Sequence, residues 1–169
     1  MRYFIIGYKS SGKTTIGKKL AYRLNMEFID LDKYIEDMTG SSVPEIYTSQ
    51  GETEFRNIEW KALKQVVTKD NVIVSTGGGV PCHCDNMNLM EQYGEVIYLK
   101  MDNETLVSRL EKATSDRPIV KNKSREELQI YVKDLRNRCE HHYLRAKFIV
   151  DAKNLKLEEL VSLLQIANN

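Results

Sequence analysis

Gly7, Gly12, Lys13 and Thr14 stand in the spacing G-x-x-x-x-G-K-[ST], the pattern in this chain whose residue types point most directly to chemistry. Glycines at both ends let the backbone curl until successive N–H groups point inward. Those donors, with the positive end of a following helix, can hold polyphosphate. Lys13 reaches the β- and γ-phosphates as a point charge, and the Thr14 hydroxyl is placed to ligate the Mg²⁺ that travels with a nucleotide. Gly7, Ser10, Ser11, Gly12, Lys13, Thr14 and Thr15 are therefore the candidate nucleotide-binding set. The flanks fit: Arg2 to Ile6 reads as a buried strand, and Ile16, Leu20, Ala21 and Leu24 recur at helical spacing.

Side chains of this kind need a scaffold, and the apolar runs supply one. Expected strands at 2–7, 27–31, 71–75, 95–100 and 147–151 alternate with helical patterns, which predicts a five-stranded parallel sheet in a three-layer α/β/α arrangement. Phe55, Ile58, Ala62, Leu63 and Val66 mark one helix, and Asp102 is placed to cap another carrying Leu106, Val107 and Leu110. Ser124 with Glu127 forms a capping box before Leu128, Tyr131, Val132, Leu135 and Cys139. Leu157, Leu160, Val161 and Leu164 belong to the last helix. Two stretches break the alternation. Residues 33–60 hold an expected substrate-binding insertion, and residues 112–123, with Asp116-Arg117-Pro118, read as a lid over the nucleotide.

A chain of 169 residues fits one domain, 1–169, and a formal net charge of +1 offers no general attraction for nucleic acid or membrane. No apolar run approaches the roughly 20 residues that span a bilayer. Three cysteines make no disulfide framework, so a cytoplasmic monomer acting on a small molecule is expected. Cys82-His83-Cys84 is poor geometry for one tetrahedral metal site, and His142 falls on the apolar stripe of its helix, where packing is its expected role.

In open α/β sheets the ligand lies beyond the carboxyl ends of the strands. Asp30 and Asp32 sit at such an end, and side chains two apart in an extended chain share a face, so two carboxylates are expected beside the cradle. Capping of the next helix by Asp32 is compatible with that. Val72 to Ser75 runs into Thr76-Gly77-Gly78-Gly79, where the absence of side chains lets a ligand meet main-chain N–H groups. No aspartate ends this strand. Ser75 or Thr76 would then join Asp30 in ordering the water shell of a metal.

The phosphate loop, Asp30-Leu31-Asp32, Gly51-Glu52-Thr53-Glu54-Phe55-Arg56, Gly77-Gly78-Gly79 and Arg117-Pro118 occur in an order and spacing that resembles shikimate kinase over nearly the whole chain. That resemblance implies a P-loop fold like that of nucleoside monophosphate kinases. It implies transfer of the ATP γ-phosphoryl group, with Mg²⁺, to the 3-hydroxyl of shikimate. Carried over by position, Lys13, Asp32 and Arg117 would be catalytic. Asp32, Arg56, Gly77, Gly78, Gly79 and Arg138 would bind shikimate, with Thr14 and Asp30 on the metal side. Arg117 would close over the phosphates and Lys153 would border the adenine. Where the family shows Arg-x-Pro-Leu-Tyr, this chain has Arg138-Cys139-Glu140-His141-His142; the distance to Ala146 selects Arg138, with Arg136 as the other candidate.

Rival readings fail on context or share the fold. Asp37-Met38-Thr39-Gly40 resembles the D-x-x-G of GTPases but follows no strand, and Asn122-Lys123-Ser124-Arg125 lacks the aspartate of N-K-x-D. A kinase of another sugar acid or of nucleoside monophosphates would look much the same. A catalytically silent nucleotide-binding regulator would have no use for Lys13, Asp32, Arg56 and Arg117 together.

Overall fold

The computed structural model describes residues 1–112 and 123–167. Five strands, β1 (Arg2–Ile6), β2 (Glu27–Asp30), β3 (Val72–Ser75), β4 (Glu95–Lys100) and β5 (Phe148–Asp151), pair in the order β2-β3-β1-β4-β5. Every pairing is parallel.

Alternation along the strands builds two cores. Phe4 and Ile6 of β1 face one side with Val72, Val74, Val96 and Tyr98, while Tyr3 and Ile5 face the other with Ile73, Ile97 and Leu99. The second core is covered by α1 (Lys13–Leu24) and α7 (Leu157–Ile166), through Leu20, Ala21, Leu160, Val161 and Leu164. The first is covered by α2 (Leu31–Thr39), α3 (Val43–Val66), α4 (Asn86–Tyr93), α5 (Asn103–Lys112) and α6 (Arg125–Tyr143). This is the three-layer P-loop arrangement that the strand pattern predicts.

Local signals explain the helix starts. Asp102 accepts from Thr105 N at 2.8 Å, and Ser124 with Glu127 forms the expected capping box on α6. The long link after β2 proves to be mostly helical. Asp30 caps α2 by accepting from Lys33 N at 3.4 Å, so the capping aspartate is Asp30 rather than Asp32. Gly40, of the GTPase-like decoy, is the left-handed C-cap of that helix. Ser42 and Glu45 then make a second capping box, with proline in the first turn of α3. Gly51, at φ 81 and ψ 173, breaks α3 with a kink. His142 departs from expectation: it is half-exposed, and its neighbour Tyr143 is the residue that enters the core.

Candidate functional site

The loop between β1 and α1 has the predicted shape. Gly7 at φ 152 and Gly12 at φ 97 take backbone angles that suit glycine, and Ser10 joins them at φ 67. A Cβ on Gly7 would stand 2.8 Å from Ser11 Oγ and 2.9 Å from the Leu99 carbonyl. Lys13 folds back over the loop, its Nζ donating to the Gly7 and Tyr8 carbonyls at 2.9 Å each. The Ser11 hydroxyl is buried with no partner among the described residues. Such an orphaned polar atom inside an anion cradle fits a polyphosphate oxygen. Thr15 is exposed in the first turn of α1. Arg109 of α5 donates to the Ser10 carbonyl at 3.1 Å, a bracing contact that no motif announces.

Beside the cradle, the Thr14 hydroxyl donates to Asp30 Oδ2 at 2.8 Å. A hydroxyl and a carboxylate of these types, already adjacent, suit a hard divalent cation and its waters. Ser75 is the register partner of Asp30, whereas the Thr76 hydroxyl donates to the Ile5 carbonyl at 3.2 Å. Of the two hydroxyls expected near the metal, Thr76 is thus committed to the sheet.

Asp32 is reached by a different geometry from the one that alternation suggests. The strand stops at Asp30, and Asp32 lies in the first turn of α2. It still converges with Asp30. Burial chiefly, and then the Asp30 carboxylate, push its carboxyl above the usual range, against the pull of Lys13 and Lys9.

The three glycines after β3 bring the parts together. A Cβ on Gly77 would lie 2.9 Å from Asp32 Oδ1, and one on Gly78 would lie 3.3 Å from the Lys9 amide nitrogen of the cradle. On Gly79 it would lie 2.7 Å from Arg56 Nη2. Carboxylate, cradle and guanidinium therefore meet one short backbone segment. A single 3-10 turn, Val80–Cys82, follows it.

Arg56 is held rather than free. Its Nη1 contacts Glu59 at 3.0 Å and its Nη2 contacts Glu52 at 3.3 Å, with the head 5.2 Å from the Phe55 ring centre. Its Nε is buried without a partner among the described residues. Glu59, 1% exposed, is a site residue that the sequence reading misses. Desolvation raises its carboxyl to about 7 although Arg56 works in the opposite direction. An Arg-x-x-Glu pair on a helix was the available signal, but such pairs are common on solvated faces.

On α6 the two candidate arginines part company. Arg136 packs 5.0 Å from the Tyr8 ring centre, pairs with Glu140 at 3.2 Å and donates to the Met101 carbonyl. Glu140 also accepts from the Tyr8 hydroxyl at 2.5 Å and from the Tyr98 hydroxyl at 3.2 Å. Arg138 is exposed, and its charge bears on His83 and Cys139, as does that of Arg56. Tyr143 donates its hydroxyl to the Gly78 carbonyl. Lys153 sits in the turn after β5, its Nζ 3.6 Å from Asp102. Arg117 and nearly all of the expected lid lie outside the described residues.

A parallel sheet whose first strand feeds a cradle of this form, with a carboxylate and a guanidinium beyond the neighbouring strand ends, defines a P-loop kinase. The shikimate kinase family model matches residues 9–167. The chain is 40% identical to a shikimate kinase of Parabacteroides distasonis over 157 residues, covering 93% of this chain and 91% of that one. The structure superposes on the shikimate kinase of Bacteroides thetaiotaomicron with a TM-score of 0.93, 37% identity and 98% of each chain covered. That of Acinetobacter baumannii, solved in complex with shikimate, gives a TM-score of 0.86 at 28% identity, over 99% of this chain and 94% of that one. The chain belongs to the shikimate kinase family.

Proposed function

We propose that this rim transfers the γ-phosphoryl group of ATP to the 3-hydroxyl of shikimate, giving 3-phosphoshikimate. The observation that supports the reading is the glycine segment 77–79, against whose successive residues Asp32, the cradle and Arg56 each lie closer than a side chain would allow. Phosphoryl transfer asks a protein mainly for positioning and charge stabilisation. The loop N–H groups, Ser10, Ser11 and Thr15 bind the phosphates, and Lys13 turns its ammonium onto the transferring group. Thr14 and Asp30, the latter through water, would hold Mg²⁺, which would supply charge neutralisation on the phosphates.

Arg56 grips the carboxylate of the acceptor with its planar fork, and Glu59 and Glu52 fix the plane of that fork. Arg138 completes the grip, while Arg136 is occupied in holding Tyr8 and Glu140. The amides of Gly77, Gly78 and Gly79 read the ring hydroxyls. Asp32 orients the attacking hydroxyl and takes its proton, a role that its raised carboxyl pKa assists. Arg117 descends on the phosphates and Lys153 borders the adenine.

The unit is inferred to be a single domain, 1–169, with its acceptor insertion at 33–60 and its lid at 112–123. We place it in the cytoplasm as a monomer with no nucleic-acid or membrane partner. A net charge of +1 agrees with this, and no helix among the described residues is long and apolar enough to cross a membrane. The test is ADP release measured with shikimate, gluconate, nucleoside monophosphates or no acceptor. Release only with shikimate, and phosphate found on its 3-hydroxyl, is expected; equal release without shikimate would refute the reading.

A further inference from the structure

Where the family pattern Arg-x-Pro-Leu-Tyr has its proline, this chain has Glu140. That glutamate is the centre of a polar network behind the phosphate loop. Its Oε2 accepts from the Tyr8 hydroxyl at 2.5 Å and from the Tyr98 hydroxyl at 3.2 Å, and Arg136 Nη1 donates to the same oxygen at 3.2 Å. Tyr8 and Tyr98 are buried, and Glu140 is only partly exposed. Burial first, and then the bond to Glu140, raise the Tyr8 hydroxyl above its ordinary pKa, so it stays a donor.

Tyr8 is more than a packed ring, because its main chain builds the cradle. Its carbonyl accepts from Lys13 Nζ at 2.9 Å and from the Ser11 amide at 3.1 Å. The same loop carries Ser10 at φ 67, a left-handed angle that a serine keeps only where its surroundings enforce it.

We propose that Glu140 is a positioning residue for the nucleotide: by holding the Tyr8 hydroxyl it fixes the loop carbonyl on which Lys13 and the Ser11 amide rest. The Tyr8 side chain runs from the cradle to α6 and is gripped at its far end by Glu140. Its ring lies edge-on to Tyr143 at 4.7 Å and beside the Arg136 guanidinium at 5.0 Å. Removing the acceptor leaves two buried hydroxyls without it, and Tyr8 regains a partner only by moving, which shifts the loop carbonyl with it. The proposal rests on the reading of this loop as the nucleotide cradle.

The test titrates ADP with Mg²⁺ into the full-length protein by calorimetry, beside a thermal melt. Glu140→Leu removes the acceptor and Tyr8→Phe the donor. Each should weaken ADP binding about three- to tenfold, the equivalent of one hydrogen bond, and the two together should weaken it little beyond either alone. Glu140→Gln keeps an acceptor oxygen and should bind near the wild-type value. A merely structural role would lower Tm, and with it the fraction of protein that binds, without moving the Kd of the folded protein. Unchanged affinity in Glu140→Leu and Tyr8→Phe, additive losses, or no rescue by glutamine would each overturn the role of Glu140. Tyr8→Phe leaves α6 untouched, so it decides the matter where Glu140→Leu does not fold. Absence of ADP binding by the wild-type protein would instead remove the nucleotide reading, and this proposal with it.

Discussion

Gly79→Ala places a Cβ 2.7 Å from Arg56 Nη2, 2.8 Å from Nη1 and 3.0 Å from Cζ. Unstrained contacts lie near 3.5 Å, so the guanidinium must retreat by about 1 Å. The backbone does not resist the change, because Gly79 sits at φ −88 and ψ −13, where alanine is at ease. Loss of unfolded-state freedom then favours the variant by about 0.4–1 kcal/mol, which offsets the disturbance of the Glu59 and Glu52 contacts. Stability should stay within about 1 kcal/mol of wild type, or roughly 2–4 °C in Tm for a domain of this size. Function should not be spared. A charge-assisted grip on a carboxylate contributes about 1.5–3 kcal/mol, and its loss corresponds to roughly ten- to hundredfold in KM for shikimate. Initial rates from coupled ADP release, read beside a thermal melt, check both halves. An unchanged KM with an unchanged Tm would refute the assignment of Arg56 to the carboxylate, and a collapse in Tm would refute the steric argument.

Glu59→Gln probes the carboxyl raised to about 7. The folded state binds this proton more tightly than the unfolded chain, so the contribution is fully present below the ordinary glutamate pKa and is lost as pH rises toward about 7. The Tm of the variant relative to wild type should therefore climb across pH 5 to 8, and a flat difference would contradict the shift. Lys13→Ala should cut kcat by about a thousandfold with little change in Tm, and near-normal turnover would remove the lysine from the transition state. Arg138→Ala should raise KM for shikimate while leaving Tm unchanged. Arg136→Ala should instead cost about 1–3 kcal/mol of stability by stripping Glu140 and Tyr8 of their partner, and a reversed pattern would exchange the two roles. Arg117→Ala should lower kcat far more than shikimate affinity, and equal losses would count against its action on the phosphates.

The sheet was readable because its grammar is local. Val, Ile and aromatic residues fill short runs, and the loop after β1 is written with the two glycines its backbone requires. The stretch from Leu31 to Gly51 was harder. Its charged and hydroxyl residues dilute the helical period, although Ser42 and Glu45 carry a capping box that would have found the start of α3. The short α4 also escaped the periodicity, having few apolar positions in one pair of turns. The placement of residues at the ends of strands was legible by rule. The burial of Glu59 and the bracing contact of Arg109 were not, because burial and contacts between distant parts of the chain leave no mark in local spacing. Asp32 was chosen correctly as a neighbour of Asp30, but alternation on a strand was the wrong cause.

Helix α6 takes the Tyr8 hydroxyl on Glu140 and gives the Tyr143 hydroxyl to Gly78, so a single rod is wedged between the two halves of the cleft. Redesign for a new acceptor is thereby constrained. Changes at Glu140 or Tyr143 should disturb the cradle and the glycine segment together. Among the described residues, Arg56, Glu52 and Glu59 of α3 make no hydrogen bond to the cradle, so substitutions there should alter the acceptor side by itself.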